Sequence, residues 1–365
     1  MTPGVISDQS DSGNHTRCLL CAILRGQSND LPVGEERVRL FAAARANRVD
    51  RLLAWRMGQI SDELRAAAIL DEVDVGELNY VLSELEAHGI VPLVIKGAAL
   101  AHTHYEQSWL RPRVDVDLLI ASSQRARVID VLQGLGYTRP PFISGELVMY
   151  QMPFARVTAT GEMHVDVHWR LANPQIFADM PVYEELAHRA STISIRGQSV
   201  RTPCPLDALL LACVHRAAHH DLSEDLLWLY DVHLLAERFS AGEWNDFVAL
   251  ASKHRVRALS ADGLRAARDC FHTPIPSNVL SRLVDDVMSR EPSAVFLRRD
   301  LTRLDRMIAD LRALTPRARL RLLAEHLMPS ARYIREKYAV RTRPLLPLFY
   351  VRRLAEGLLR FSKRV

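Results

Sequence analysis

The stretch VDVDLLI at positions 114–120 alternates acid with valine and then turns wholly apolar, and MHVDVHWRL at 163–171 alternates again. Period-two alternation is the mark of a β-strand with unlike faces, and the apolar end is that of a strand entering a core. On the first strand Asp115 and Asp117 therefore project from one face. On the second, His164, Asp166 and His168 share one face, and Val165 and Val167 the other. Two adjacent carboxylates repel and raise each other's pKa unless a cation lies between them. Hard carboxylate oxygens suit Mg²⁺, and a third carboxylate on a neighbouring strand could complete the ligand set. The competing reading is a pair of solvated acids on an edge strand.

Working outward, VPLVI at 91–95 is a short β-rich run that Lys96-Gly97 leads directly into a helical segment over 98–105. Backbone N–H groups at such a strand-to-helix corner can meet a phosphate, and Lys96 could add a point charge there. The run 111–113 is a loop. Ser122 or Ser123 is placed to cap a helix ending near residue 135, with Gly136 as its stop. Two strand-like runs follow at 147–151 and 156–160. Upstream, Leu53, Met57, Ile60 and Leu64 predict one helix face, and Leu78, Val81, Leu82 and Leu85 a second that Gly89 closes. From residue 205 onward the pattern is helical again, clearest at 206–220 and 225–239.

The expected organisation is an α+β protein in which a small mixed sheet sits between helical regions. Its segments are a disordered leader over 1–16, a helical region over 17–89, an α/β core over 90–200, a helical domain over 201–297 and a basic helical region over 298–365. The chain has 365 residues, 48% hydrophobic and 25% charged, which excludes fibrous and wholly disordered classes. The longest strictly apolar runs, 18–24 and 208–214, are far short of the ~20 residues of a membrane span. Five scattered cysteines and an acidic first segment predict a cytoplasmic protein with reduced thiols. Cys18 and Cys21 form a CxxC without a second pair at zinc-ribbon spacing, and read as a helix packing face.

Net charge is +4, yet residues 298–365 hold eighteen Lys+Arg against six Asp+Glu. A basic segment of this kind suggests RNA or an anionic membrane surface as a partner. Its last helix puts Val351, Leu354, Leu358 and Phe361 on one stripe flanked by arginines, and packing of that stripe on the body is the simpler reading. His215 and His219 are spaced i, i+4 as zinc ligands can be. The residue after His215 is Arg216, so the general base of a His-Glu-x-x-His protease is missing. Both histidines read instead as cleft-facing residues that contact base or acceptor, or as a structural network.

The pieces IKGAAL at 95–100, Tyr105, Arg111, DVDLLI at 115–120, GLGY at 134–137, HVDVHWRL at 164–171 and HRAAHH…LLWLYDVHLL at 215–235 occur in order. Together they resemble the DNA polymerase β-like nucleotidyltransferase superfamily, and within it the bacterial family-5 branch, over roughly residues 20–240. The resemblance implies metal-dependent transfer of a nucleoside monophosphate from an NTP to an acceptor, with release of pyrophosphate. It implies that Asp115, Asp117 and Asp166 hold two Mg²⁺ ions, or Mn²⁺ in their place, with Asp166 helping to deprotonate the acceptor hydroxyl. Lys96, Gly97, Arg111, Arg113 and His168 would lie against the nucleotide, and His215 and His219 against substrate. The acceptor is left open among a small molecule, a sugar, a peptide and an RNA. Many superfamily members carry Gly-Gly or Gly-Ser at the corner; Gly97-Ala98 lacks that serine hydroxyl, and Lys96 is the residue left to offset it. Two readings from other classes stand beside this one: a catalytically inactive nucleotide-binding regulatory or scaffold protein, and an RNA-binding protein led by the basic C-terminal region.

Overall fold

The computed structural model describes residues 6–27, 32–142, 145, 147–158, 161–220, 222–285, 291–340 and 342–361. Four helices come first: α1 (Ile6–Leu24), α2 (Gly34–Ala46), α3 (Asp50–Arg56) and α4 (Asp62–Ala87). The leader expected over 1–16 is thus helical from Ile6, and residues 1–5 lie outside the described part. The stripe Leu53–Met57–Ile60–Leu64 does not share one helix. Gly58 adopts φ +65°, Ile60 is exposed, and Ser61 starts α4 by accepting a hydrogen bond from Leu64 N at 3.3 Å. A left-handed stop followed by an N-cap overrides the periodicity. The second stripe is buried as expected, and Gly89 at φ +72° follows the C-cap of α4.

The sheet is built from β1 (Leu93–Ile95), β2 (Val116–Leu119), β3 (Gln151–Thr158) and β4 (Gly161–His168), in the order β1-β2-β4-β3. Between β1 and β2 lies α5 (Lys96–Thr103), and between β2 and β3 lies α6 (Arg125–Gly134). No side chain caps α6; a short 3₁₀ turn at Ser122–Gln124 leads into it, and Gly136 at φ +85° stops it. β2 runs parallel to β4, while β1 and β3 are antiparallel to their neighbours. The two runs read as separate strands at 147–151 and 156–160 are in fact replaced by one strand, β3, through Pro153; of the second run, 159–160 fall outside the described residues. A proline has no N–H to give a ladder, and β3 tolerates one because it is an edge strand.

Then come α7 (Tyr183–Arg189) and the hairpin β5 (Ser191–Ile195) and β6 (Gln198–Thr202), whose two turn residues Arg196 and Gly197 both have positive φ, as a tight hairpin turn requires. The helices α8 (Pro205–His220), α9 (Leu226–Ala236), α10 (Ala241–Lys253), α11 (Arg257–Phe271) and α12 (Ser277–Val284) follow, then α13 (Arg303–Ala313), α14 (Pro316–Leu327), α15 (Ala331–Tyr338) and α16 (Leu346–Phe361).

Three buried clusters organise these elements. One joins α4, α6 and the outer face of the sheet through residues such as Leu82, Val94, Leu118, Val128 and Val165. A second joins α8 to α12 and takes in Leu93, Ile95 and Leu119 of the sheet. The third packs α1 to α3 against α9 and α11 through Leu40, Leu53, Leu226 and Phe271. The N-terminal helices are therefore shared between two cores: α4 packs on the sheet from Val75 onward, while its first turn, through Leu64, joins α1 to α3 in the helical part. Tyr137 of the GLGY run is buried and donates its hydroxyl to Glu77 of α4 at 2.7 Å, which ties α4 to the sheet.

Candidate active site

The parallel register of β2 and β4 sets Asp117 beside Asp166 and Leu119 beside His168. As alternation predicts, Val165 and Val167 are buried on the opposite face. The ligand atoms of Asp117, Asp166 and His168 all lie within 4.8 Å of one another. His168, which is fully buried, sets its Nε2 2.7 Å from Asp117 Oδ1. Asp166 Oδ2 accepts from Gln151 Nε2 at 2.8 Å. Lys96 Nζ lies 2.6 Å from Asp117 Oδ1 and 3.3 Å from His168 Nε2. Asp115, just ahead of β2, is half-buried on the same side but stands outside this cluster of three.

These positions decide the electrostatics. Burial works against a charge on Asp117, but Lys96 and His168 outweigh it and hold the carboxyl well below the usual range. Asp166 goes the other way: burial, then the charges of Asp117 and Asp115, push it up to about 6. Asp115 is raised by burial and by Asp117. Burial and Lys96 push His168 down, which favours the neutral imidazole that a metal site needs. Two carboxylates, an adjacent third and a neutral imidazole form a donor set suited to a hard divalent ion, and the raised Asp166 signals negative charge that lacks a full counter-charge. The residues fit a metal.

The corner that delivers Lys96 is unusual. Lys96 opens α5 directly after β1 with φ +55°. A residue with a Cβ in that region costs about 1–2 kcal/mol relative to glycine. At the next position, a Cβ on Gly97 would overlap Nη1 of Arg111. Arg111 is buried and its guanidinium closes in a fork on Asp231 of α9, Nε to Oδ1 at 3.0 Å and Nη2 to Oδ2 at 2.6 Å. Tyr105 donates its hydroxyl to the same Asp231 at 2.6 Å. Arg113 pairs with Asp71 of α4 at 2.5 Å, and Ser108 donates to that carboxylate too. Both arginines thus pin the loop that carries Asp115, one to α9 and one to α4.

A cavity of about 430 Å³ adjoins the cluster through Lys96. Gly97, Arg111 and His215 share its wall, and Thr103, Thr202, Leu235 and Phe239 lie further along it. Of the two histidines singled out in the sequence, His215 therefore faces this cavity, with Nε2 3.0 Å from His220 Nε2. His219 stacks instead on Tyr150 at 5.6 Å between ring centroids, and Tyr150 in turn faces His168 at 5.7 Å. Burial, followed by Lys96, depresses His215 strongly and takes His219 down to about 3, so both are neutral at ordinary pH.

Gln151, Tyr150 and Asp231 are site residues that reading the sequence did not single out. Tyr150 and Gln151 end the strand-like run 147–151 and carry no local signal of their own; Asp231 sat inside a quoted helical piece, where one acid among apolar residues on a buried helix was the available hint. Cys21 is buried and Cys18 exposed, so only one member of the CxxC packs. In the basic C-terminal region, arginines pair along their own helices, as Arg321 with Glu325, Arg332 with Glu336 and Arg352 with Glu356. Val351 and Leu354 of α16 are exposed rather than packed on the body; the side chains of Leu358 and Phe361 lie outside those described. Among the described residues no helix is long and apolar enough to cross a membrane.

The chain is similar in structure to the antibiotic-resistance factor ANT(2'')-Ia, at 13% identity and a TM-score of 0.37, over 53% of this chain and 98% of that one. It is also similar to an antigenic nucleotidyltransferase-like protein from Paracoccidioides brasiliensis, at 15% identity and a TM-score of 0.34, over 55% of this chain and 96% of that one. No curated protein matches it. The model of a family described as uncharacterised nucleotidyltransferase matches residues 27–272, a span that holds the sheet, the carboxylates and the cavity, and the chain belongs to that family.

Proposed function

We propose that the chain transfers a nucleoside monophosphate from an NTP to an acceptor hydroxyl at the Asp117–Asp166 cluster, with Mg²⁺ as the working ion. The observation that carries this reading is the pairing of Asp117 with Asp166 across parallel strands, with a third ligand atom from His168 within the same 4.8 Å. A divalent ion held there supplies Lewis acidity, lowering the pKa of the acceptor hydroxyl and offsetting charge on the phosphoryl oxygens. In the reaction the acceptor oxygen bonds to the α-phosphorus, the bond from that phosphorus to the β-phosphate oxygen breaks, and pyrophosphate leaves. Asp166, at about 6, is suited to take the acceptor's proton near neutral pH.

Asp115 adds a third carboxylate beside the other two. Lys96 and the first amides of α5 meet the triphosphate, and His168 orients Asp117 through its 2.7 Å contact. Arg111 and Arg113 contribute fixed positive charge while their pairs with Asp231 and Asp71 hold the loop. The cavity beside Lys96 has the volume of a small-molecule site, which favours a small-molecule acceptor over a peptide or an RNA, with His215 at its wall.

The test is calorimetric titration of each NTP with and without Mg²⁺, followed by a pyrophosphate-release screen over small hydroxylated acceptors. Asp117→Asn should keep its fold and lose Mg²⁺-dependent binding and at least ~100-fold of any turnover. Absence of binding by the native chain to every NTP would sink the reading. Binding without pyrophosphate release from any acceptor would favour the inactive nucleotide-binding protein instead.

A further inference from the structure

Among the described residues, non-glycine positive φ angles fall at Arg48, Lys96, Arg196, Leu222, Arg255, His272 and Ala339. Arg48, Leu222, Arg255, His272 and Ala339 end helices and Arg196 turns a hairpin, places where a left-handed residue is the ordinary way to stop or reverse the chain. Lys96 alone among them opens a helix directly after a strand. Glycine would relax the backbone there, so what sets lysine apart at this position is its side chain. That side chain is only 13% exposed and ends on Asp117 Oδ1, which His168 Nε2 also meets at 2.7 Å.

Asp117 Oδ1 is covered by an ammonium and an imidazole, and Asp166 Oδ2 by the amide of Gln151. That leaves Asp117 Oδ2 and Asp166 Oδ1 as the other oxygens of the two acids in the cluster, with Asp115 at its margin. In a two-ion centre the ions lie ~3.5–4 Å apart, close enough for one carboxylate to give an oxygen to each. Asp117 is the central acid, and one of its two oxygens is taken. Charge gives the same answer: Lys96 and one divalent ion balance three carboxylates.

We propose that Lys96 is a built-in cation that positions Asp117 and stands in the place of a second metal ion, so that this centre works with one divalent ion. The inference rests on the nucleotidyl-transfer reading and replaces the two ions that the family resemblance implies by one ion and an ammonium. Lys96 here is a positioning residue: it acts through Asp117.

The experiment counts Mn²⁺ bound per bound molecule of a non-hydrolysable nucleoside triphosphate, by equilibrium dialysis, and records the electron paramagnetic resonance spectrum of the same complex. The native chain should hold one Mn²⁺ per nucleotide with an unbroadened spectrum. Lys96→Met should hold two, with the dipolar broadening of a close pair. Lys96→Gly, in which the turn is relaxed, should also hold two and melt no lower than the methionine variant, which separates the charge from any folding defect. Two ions in the native chain, or one in both variants, overturns the inference while leaving nucleotidyl transfer standing. Failure of the native chain to bind nucleotide at all overturns both, and is recognised by the absence of bound nucleotide rather than by the metal count.

Discussion

Removing the carboxylate of Asp231 should be among the most damaging single changes outside the metal cluster. In Asp231→Ala, Arg111 loses three charge-assisted hydrogen bonds, at 3.0, 3.2 and 2.6 Å, and Tyr105 loses its 2.6 Å acceptor. Both members of the ion pair have side chains only 4% exposed, so water cannot replace what is lost. Breaking a buried pair by deleting one partner costs about 3–5 kcal/mol, and an orphaned buried hydroxyl adds roughly 1 kcal/mol. Against a total stability of about 5–15 kcal/mol this is a large fraction. Gly97 backs the guanidinium and Trp228 lies 5.6 Å from its centre, so its displacement has to be towards the cavity that it lines. With Asp231→Leu and Arg111→Met as the single changes of the cycle, each costing about 3–5 kcal/mol, the double variant Arg111→Met/Asp231→Leu removes both charges and should cost no more than about 2 kcal/mol, so the pair shows a coupling energy of about 4 kcal/mol or more. Urea unfolding followed by tryptophan fluorescence on the four proteins of the cycle measures this. If Asp231→Ala costs under 1 kcal/mol, or if the two single costs simply add in the double variant, the claim that this pair clamps the site is wrong.

Gly97→Ala should destabilise by about 1–3 kcal/mol through overlap with Arg111, and the loss should shrink in an Arg111→Met background; thermal melts of the two pairs decide it. Ser61→Ala removes the side-chain cap of α4 and should cost ~1 kcal/mol by urea unfolding, with no effect on nucleotide binding. Asp166 binds its proton more tightly folded than unfolded, so its ionisation lowers stability as pH rises from about 4 to about 6 and changes nothing further above that. Relative to the native chain, Asp166→Asn should therefore gain stability across that window, by on the order of 1–2 kcal/mol after allowance for its partial exposure; parallel slopes for the two proteins in pH-dependent unfolding would contradict this. Saturating Mn²⁺ at about 100 times its dissociation constant should stabilise the native chain by ~2.7 kcal/mol, and Asp117→Asn by far less, as read from melting curves.

What the sequence alone determined was local. Alternation at 114–120 and 163–171 placed three acids and His168 on strand faces, because side-chain direction in a strand depends only on parity. Gly89 and Gly136 marked helix ends, because the left-handed backbone they adopt is a property of the residue itself. The order of motifs was enough to expect a small mixed sheet between helices. Local pattern misled where neighbouring backbone outweighed it, as in the stripe that crosses Gly58 and the strand that runs through Pro153. Tertiary structure alone decided the rest, since it joins residues far apart in the chain. The β2–β4 register set Asp117 against Asp166 and left Asp115 at the margin. Residues 151 and 231 entered the site from an edge strand and a distant helix, with no spacing rule to announce them. Lys96, legible as a charge near a phosphate corner, acquired its partner only when β1 and β2 paired and placed its ammonium on Asp117, because an ion pair is chosen by distance in space and sequence records only distance along the chain.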